Sequence, residues 1–141
     1  MKIIDLNLII YAVNDDAPQH ESAKDWWEQS IAETETVGIP WVVILGFLRI
    51  TTNPRIMPLP LAIDRALGLV NEWLNLPSIQ IVMPTDRHWG IFQELIRQAG
   101  TAANLTTDAH LATLAIEHGA VFYSTDHDFA RFPNLKWINP L

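Results

Sequence analysis

Apolar and polar residues follow two alternating patterns along the chain: short continuous apolar runs, and longer segments with helical periodicity. The short runs are typical of buried strands. The four strands predicted in this way are Lys2–Asp5, Thr36–Ile39, Ile79–Val82 and Ala120–Tyr123. A fifth strand, Lys136–Ile138, is expected at the edge of the sheet.

The longer segments place apolar residues at the i, i+3, i+4 spacing that gives a helix one hydrophobic face. The predicted helices are Asn7–Val13, His20–Ala32, Trp41–Thr51, Leu61–Leu76, Arg87–Ala99 and Thr107–His118. The third is almost wholly apolar, so we expect it to be buried on all sides. Short strands that alternate with helices form a parallel sheet covered on both faces. The sequence therefore predicts an α/β fold, with residues 1–141 in a single domain.

The composition excludes several classes of protein. Of 141 residues, 49% are hydrophobic and 18% are charged, a balance that can bury a sizeable core and excludes intrinsic disorder. The uncharged stretch Thr36–Leu48 is shorter than the about 18 residues that a membrane-spanning helix needs. The absence of Cys excludes disulfides and thiolate metal sites. With no recognisable secretory signal, we expect a cytoplasmic protein that does not bind a membrane.

The net charge limits how the chain could bind nucleic acid. Nine Lys and Arg against sixteen Asp and Glu give a formal charge of -7, so non-specific attraction to a phosphate backbone is weak. A nucleic-acid partner would have to be held locally. Either a few placed Arg residues or divalent cations between carboxylates and phosphate oxygens could do this.

Four Asp residues fall where the ends of parallel strands are expected to meet. Asp5 ends the first predicted strand, Asp126 and Asp128 follow the fourth, and Asp108 lies at the start of a helix. In open parallel sheets, ligands bind at the edge formed by the carboxyl ends of the strands. We therefore expect the four carboxylates to converge, which raises their pKa values unless a cation lies between them. All-oxygen ligands favour Mg²⁺ or Mn²⁺ over Zn²⁺.

Each of these residues also has a purely structural interpretation. Asp108 could be a first-turn acid favoured by the helix dipole, and Asp126 or Asp128 could cap the short turn Phe129–Arg131. Asp5 lacks a capping role as favourable as Ser or Thr would provide, which makes it the strongest functional candidate. The joint placement of all four favours a functional site over four separate caps.

Two further groups of charged residues bear on function. Arg49 and Arg55 flank the end of the apolar helix and could contact an RNA phosphate, although Arg49 could equally pair with an acid of its own fold. A phosphoacceptor signalling domain also places acids at strand ends, but it needs a Lys at the same edge. Lys2, Lys24 and Lys136 are poorly placed for that role.

Four segments occur in an order and at a spacing that resemble a known family. They are Asp5-Leu6-Asn7, Gly46-Phe47-Leu48-Arg49 with Asn53-Pro54-Arg55, Asp108-Ala109-His110-Leu111-Ala112, and Ser124-Thr125-Asp126-His127-Asp128-Phe129. The chain resembles the PIN-domain ribonucleases, and among them the VapC-type toxins of bacterial toxin–antitoxin pairs. The resemblance implies a three-layer α/β/α sandwich with a short parallel sheet, Mg²⁺- or Mn²⁺-dependent endoribonuclease activity on an RNA substrate, and a small cognate antitoxin protein.

Together, the residues and the resemblance assign roles within the site. Asp5 and Asp108 are expected to be direct metal ligands, with Asp126 as a third ligand and Asp128 as an outer ligand or orienting group. Asn7, Ser124 and Thr125 are candidate hydrogen-bonding partners of these acids.

The chain departs from the family pattern at one position. Family members commonly carry a Glu before the Phe-Leu-Arg segment, where this chain has Gly46. Either water completes the metal shell or activity is reduced, and we favour water because Mg²⁺ sites keep several waters. The alternative function is a catalytically degenerate PIN-like module that binds a partner protein without cutting RNA.

The two most apolar helices suggest how a protein partner would bind. Trp41–Thr51 and Leu61–Leu76 could form a groove suited to an amphipathic helix. We therefore expect a homodimer and an antitoxin that buries apolar side chains in this groove.

Overall fold

The computed structural model describes residues 1–141 and contains five strands and six α-helices. The strands are β1 (Lys2–Ile4), β2 (Val37–Pro40), β3 (Ile79–Val82), β4 (Val121–Tyr123) and β5 (Trp137–Ile138). The helices are α1 (Leu6–Val13), α2 (His20–Ala32), α3 (Trp41–Thr51), α4 (Ile63–Leu74), α5 (His88–Ala99) and α6 (Thr106–Glu117). Short 3-10 helices lie at Ala103–Leu105 and His127–Arg131.

The five strands form one parallel sheet in the order β3-β2-β1-β4-β5. The chain moves outward from β1 to β2 and β3, then returns across the sheet to β4. Because such crossovers are right-handed, helices α1 to α4 cover one face and α5 and α6 cover the other. This arrangement confirms the predicted three-layer α/β/α sandwich, with β5 at one edge.

Aromatic side chains fill much of the core on both faces of the sheet. Trp27 of α2 and Phe47 of α3 both pack edge-on against Trp73 of α4, with ring centroids 5.7 and 4.9 Å apart. Phe122 of β4 packs against Phe129 with centroids 4.5 Å apart, and both rings are fully buried. The first two contacts join α2, α3 and α4 to one another, and the third joins β4 to the 3-10 helix that follows it.

The structure corrects the prediction that α3 is buried on all sides. Trp41 and Leu45, one helical turn apart, are 47% and 61% exposed. Only the opposite face, which includes Val43 and Phe47, packs into the core. An almost wholly apolar helix therefore leaves an apolar strip on the surface.

Several element ends differ from the predicted ones for local reasons. Helix α4 begins at Ile63, two residues later than predicted, and the N–H of Leu61 before it donates to the carbonyl of Thr51 at 2.7 Å. Strand β1 ends at Ile4 because Asp5 caps α1. None of the helices is both long and apolar enough to cross a membrane.

Candidate active site

The carboxyl ends of β1 and β4 lie side by side at the centre of the sheet. Ile4 pairs with Tyr123 in the parallel register, and the N–H of Asp5 donates to the carbonyl of Tyr123 at 2.9 Å. The residues that follow each strand, Asp5 and Ser124, are therefore neighbours. Connections leave β1 in one direction and return to β4 on its other side, which is the switch point where α/β proteins bind ligands.

The Ser124 hydroxyl joins both strand ends. It is fully buried, and its Oγ donates to Asp5 Oδ2 at 2.6 Å. The same oxygen accepts from Asn7 Nδ2 at 3.2 Å and from the N–H of Asp126 at 3.0 Å. One donor and two acceptor positions are all that a hydroxyl offers, so Ser124 is saturated and holds Asp5 and the loop after β4 in a fixed relation.

Asp5 has a capping role that the sequence analysis underestimated. It is the N-cap of α1, and its Oδ1 accepts from the N–H of Leu6 at 2.7 Å. The expectation that Asp5 lacks a favourable capping role was therefore wrong, because the side chain satisfies a free N–H of the first helical turn. Both carboxylate oxygens of Asp5 are hydrogen-bonded.

Three other carboxylates come together beside this pair of strands. Oxygen atoms of Asp108, Asp126 and Asp128 lie within 4.8 Å of one another. Asp108 is in the first turn of α6, and Asp126 caps the 3-10 helix after β4, its Oδ1 accepting from the N–H of Asp128 at 2.9 Å. This group differs from the expected one, in which Asp5 and Asp108 were the first metal ligands, because Asp5 lies outside it.

Burial and neighbouring charges raise the pKa values of Asp5 and Asp108. Partial burial, followed by the charges of Asp126, Asp5 and Asp128, raises the pKa of Asp108 to about 6. Burial is also the main cause of the raised pKa of Asp5, and the Asp126 charge adds to it, while the hydrogen bonds from Ser124 and Leu6 oppose it. The protein therefore holds these acids together without neutralising their charge.

The donor set fits a divalent cation. All the candidate ligands are carboxylate oxygens, the type that Mg²⁺ and Mn²⁺ prefer. The amide nitrogen of Asn7 donates to Ser124, whereas its Oδ1 atom is buried and has no hydrogen-bond partner. This oxygen is therefore a free acceptor at the same edge of the sheet as the acids. Lys2 lies at the beginning of β1, and its Nζ donates to the carboxylate of Glu33 at 2.7 Å. Its positive charge therefore does not compensate the acids at the carboxyl ends of the strands.

The other three candidate residues, Thr125, Arg49 and Arg55, are not held in place by side-chain hydrogen bonds or ion pairs. Thr125 is half-buried, and its side chain makes no hydrogen bond within the chain. Arg49 and Arg55 are both exposed, Arg49 in the last turn of α3 and Arg55 in the following turn. Neither forms an ion pair, so the alternative in which Arg49 pairs with an acid of its own fold does not occur.

Gly46 is buried on α3 and faces the beginning of α1. A Cβ atom at this position would lie 2.6 Å from Leu6 Cδ2, closer than two carbon atoms can approach. Leu6 directly follows Asp5, so this glycine lies next to the candidate site. The glycine therefore allows α3 to pack closely against Leu6.

A chain of hydrogen bonds that was not predicted from the sequence begins at Glu117, the last residue of α6. The carboxylate of Glu117, which is almost fully buried, accepts from the N–H of Thr85 and bonds to His88 Nδ1. His88 Nε2 is in turn 2.9 Å from Nδ1 of His110. Burial, together with the nearby His88, lowers the pKa of His110. The seven-residue spacing of His110 and Glu117 places both on one face of a helix, a signal that could have identified the pair.

Comparison with known proteins gives a consistent result over the whole chain. The sequence profile of the PIN domain matches residues 2–135. Ribonuclease VapC33 of Mycobacterium tuberculosis is 41% identical over 141 residues, which cover 100% of this chain and 99% of that protein. Ribonuclease VapC37 of the same species is 41% identical over 140 residues, or 99% of this chain and 97% of that protein.

Solved structures share the fold. The crystal structure of VapBC2 from Rickettsia felis, bound to a DNA fragment from its promoter, matches with a TM-score of 0.71 at 18% identity, covering 98% of this chain and 97% of that chain. DNA-bound VapBC from Salmonella typhimurium matches with a TM-score of 0.70 at 15% identity, covering 99% and 98%. At these identities the two structures support the architecture alone.

Proposed function

Because the chain belongs to the PIN domain family, and its curated relatives are VapC ribonucleases, we propose that it is the endoribonuclease toxin of a toxin–antitoxin pair. The reaction is hydrolysis of an RNA phosphodiester bond that depends on Mg²⁺ or Mn²⁺. The observation that carries this proposal is the group of three carboxylates at the switch point of the sheet, where the pKa of Asp108 is raised to about 6. Such a group favours a cation and, through it, a phosphate.

We assign the metal to Asp108, Asp126 and Asp128, with Asp5 next to them. A divalent ion bound there would neutralise charge on the phosphate and lower the pKa of a water molecule for attack on phosphorus. The protein supplies the position of the ligands. Ser124 fixes Asp5 relative to the loop that carries Asp126, so the two strand ends cannot move apart without breaking its hydrogen bonds.

The acids also determine the pH range in which the site is fully charged. Asp108 keeps a proton on its carboxyl group up to about pH 6. Below that pH one ligand oxygen is protonated and the attraction for a cation falls. We therefore expect both metal binding and cleavage to weaken as the pH decreases from 7 to 5.

Cleavage of total cellular RNA, with the ends of the products mapped, tests the proposal. The full chain is expected to cut in Mg²⁺ or Mn²⁺ and to stop in EDTA. Asp126→Asn should lose cleavage, whereas Asp25→Asn, the same change at an exposed position on α2, should retain it. Metal-independent cleavage, or an active Asp126→Asn, would contradict the assignment. A folded chain that binds the metal but cuts nothing would favour the degenerate interaction module.

The exposed apolar strip on α3 gives the antitoxin a place to bind. Trp41 and Leu45 of α3, together with Ile63 and Leu67 of α4, are between 43% and 61% exposed and lie one turn apart on their helices. We propose that the antitoxin packs an amphipathic helix against these four side chains, as the sequence predicted for the groove between the two helices.

Co-expression of the chain with the product of the adjacent gene tests this surface. Leu45→Glu is expected to abolish co-purification of the two proteins while leaving cleavage by the free toxin intact. Leu59→Glu, at an apolar position that is 73% exposed and outside the four, serves as the control. Equal loss in both variants would show that the surface is not specific.

A further inference from the structure

A cavity of about 340 Å³ opens between the first turns of α5 and α6, the helix that carries Asp108. Its walls include Val42, His88, Trp89, Phe92, Thr107 and His110. Thr107 directly precedes Asp108, so the cavity and the acids share the beginning of α6. Ligand sites in proteins start at about 300 Å³, which makes this cavity suitable for one small ring system and its attached sugar.

One wall of the cavity consists of roughly parallel rings. Phe92 stacks on Trp89 with centroids 5.7 Å apart and planes at 27°, and on His88 with centroids 6.3 Å apart and planes at 14°. Trp89 is 68% exposed, more than any other Trp of the chain. The indole is held by Phe92 and still presents much of its surface to solvent. Flat, exposed aromatic rings of this kind are the surfaces on which bases of single-stranded RNA stack.

The hydrogen-bonded chain from Glu117 holds one ring of the cavity wall in place. The carboxylate of Glu117 bonds to His88 Nδ1, and His88 Nε2 lies 2.9 Å from Nδ1 of His110. Both ring nitrogens of His88 and Nδ1 of His110 therefore have partners in the chain. The Nε2 atom of His110 has none, so it is free to form one hydrogen bond with a ligand.

We propose that this cavity is a nucleobase subsite, in which a base next to the cleaved phosphate stacks on Trp89 and forms a hydrogen bond with His110 Nε2. This inference rests on the proposed ribonuclease function and names the feature of the RNA that the site recognises. Because the four bases present different donors and acceptors, one fixed ring nitrogen favours some bases over others at one position beside the cut. An RNA base fits better than a protein side chain because the cavity joins a planar aromatic wall to a free hydrogen-bonding atom, on the helix that carries Asp108.

The test begins with the mapped cleavage ends and then uses short synthetic RNAs with one preferred site. Trp89→Ala is expected to reduce kcat/KM by about ten- to a hundredfold, the effect of losing one stacked base, whereas Trp89→Phe keeps an aromatic face and should recover most of it. Leu59→Ala removes an equally exposed apolar side chain outside the cavity and should have no effect. Circular dichroism spectra of the variants check that they are folded.

The hydrogen bond is tested with four synthetic RNAs that differ only in the base at this position. Wild type is expected to cut at least one of them about tenfold or more faster than the others, and His110→Leu should cut all four at similar rates. The proposal is overturned if wild type shows no preference at this position, or if Trp89→Ala keeps the wild-type rate and preference. It is also overturned if Trp89→Ala instead converts a dimer into a monomer, which would make the cavity a protein interface. If wild type cuts no RNA at all, the proposed function itself fails, an outcome distinct from these.

Discussion

Replacing Asp108 by Asn should make the protein more stable at pH 7 even though it removes a residue of the proposed metal site. The substitution keeps the size of the side chain and removes its charge. In the folded chain that charge is unfavourable, because burial and the neighbouring Asp126, Asp5 and Asp128 raise the pKa of Asp108 to about 6. The unfolded chain has no such penalty.

The size of the effect follows from the pKa difference. The ordinary pKa of an Asp side chain is 3.8, so a pKa of about 6 is higher by about 2 pKa units, and one unit corresponds to about 1.4 kcal/mol. This gives an upper bound of about 3 kcal/mol. Asp108 is only half-buried, so solvent screening reduces the expected gain to about 1–2 kcal/mol in the free energy of unfolding. For a domain of this size, that gain raises the melting temperature by about 3–6 °C.

The pH dependence has a definite sign. A carboxyl group whose pKa is raised by folding binds more protons in the folded state between about pH 4 and pH 6, so wild type gains stability as the pH falls through this window. Asp108→Asn cannot gain in this way. Its advantage is therefore fully present at pH 7 and mostly lost near pH 4, where Asp108 is protonated in the folded state of wild type and about half protonated in the unfolded chain.

Urea unfolding in EDTA, followed by Trp fluorescence at pH 7 and pH 4, measures these differences. Asp25→Asn, on an exposed face of α2, is the matched control and should show no advantage at either pH. A parallel titration with Mn²⁺ should stabilise wild type and leave Asp108→Asn nearly unchanged. The reasoning fails if Asp108→Asn is less stable than wild type at pH 7, or if its advantage is the same at pH 4.

Three further outcomes are expected. Ser124→Ala breaks all three hydrogen bonds of a buried hydroxyl, so it should lower the free energy of unfolding by about 2–4 kcal/mol and slow cleavage. Ser78→Ala, the control, loses a single hydrogen bond and should lower the free energy of unfolding by about 1 kcal/mol in the same urea assay. Gly46→Ala should not gain the about 1 kcal/mol that the change normally gains inside a helix, because the terminal methyl of Leu6 must move aside, and Leu6→Val should restore that gain; a full gain in Gly46→Ala alone would contradict the contact. Sedimentation at micromolar concentration is expected to find a homodimer, and a monomer would exclude it.

The sequence allowed the fold to be predicted because its strands and helices alternate with clear periodicity. The convergence of acids from distant segments also followed from one rule, that parallel strands end at the same edge of the sheet. The strand order was not predictable from local patterns. It places Asp5 beside Ser124, whose hydroxyl then determines how the Asp5 carboxylate is held.

Other features depend on packing between helices and could not be predicted from single segments. The exposed face of α3 arises because only one side of an apolar helix finds a neighbour. The chain from Glu117 through His88 to His110 crosses between α5 and α6, so it exists only once those helices pack together. Hydrophobic periodicity gives no information on such a polar connection.

The hydrogen bonds of the individual acids explain why their charges are compensated unequally. Asp5 accepts one hydrogen bond on each of its oxygens, from Leu6 and Ser124. Asp126 accepts one bond in total, from the N–H of Asp128, and the Asp108 side chain accepts none within the chain. The pKa of Asp108 is raised to about 6, as expected for the carboxylate with the least support from the protein. In the proposed site, a bound cation would compensate the charge of Asp108, which the protein leaves without a hydrogen bond, whereas both oxygens of Asp5 already accept hydrogen bonds that hold α1 and the two central strands together.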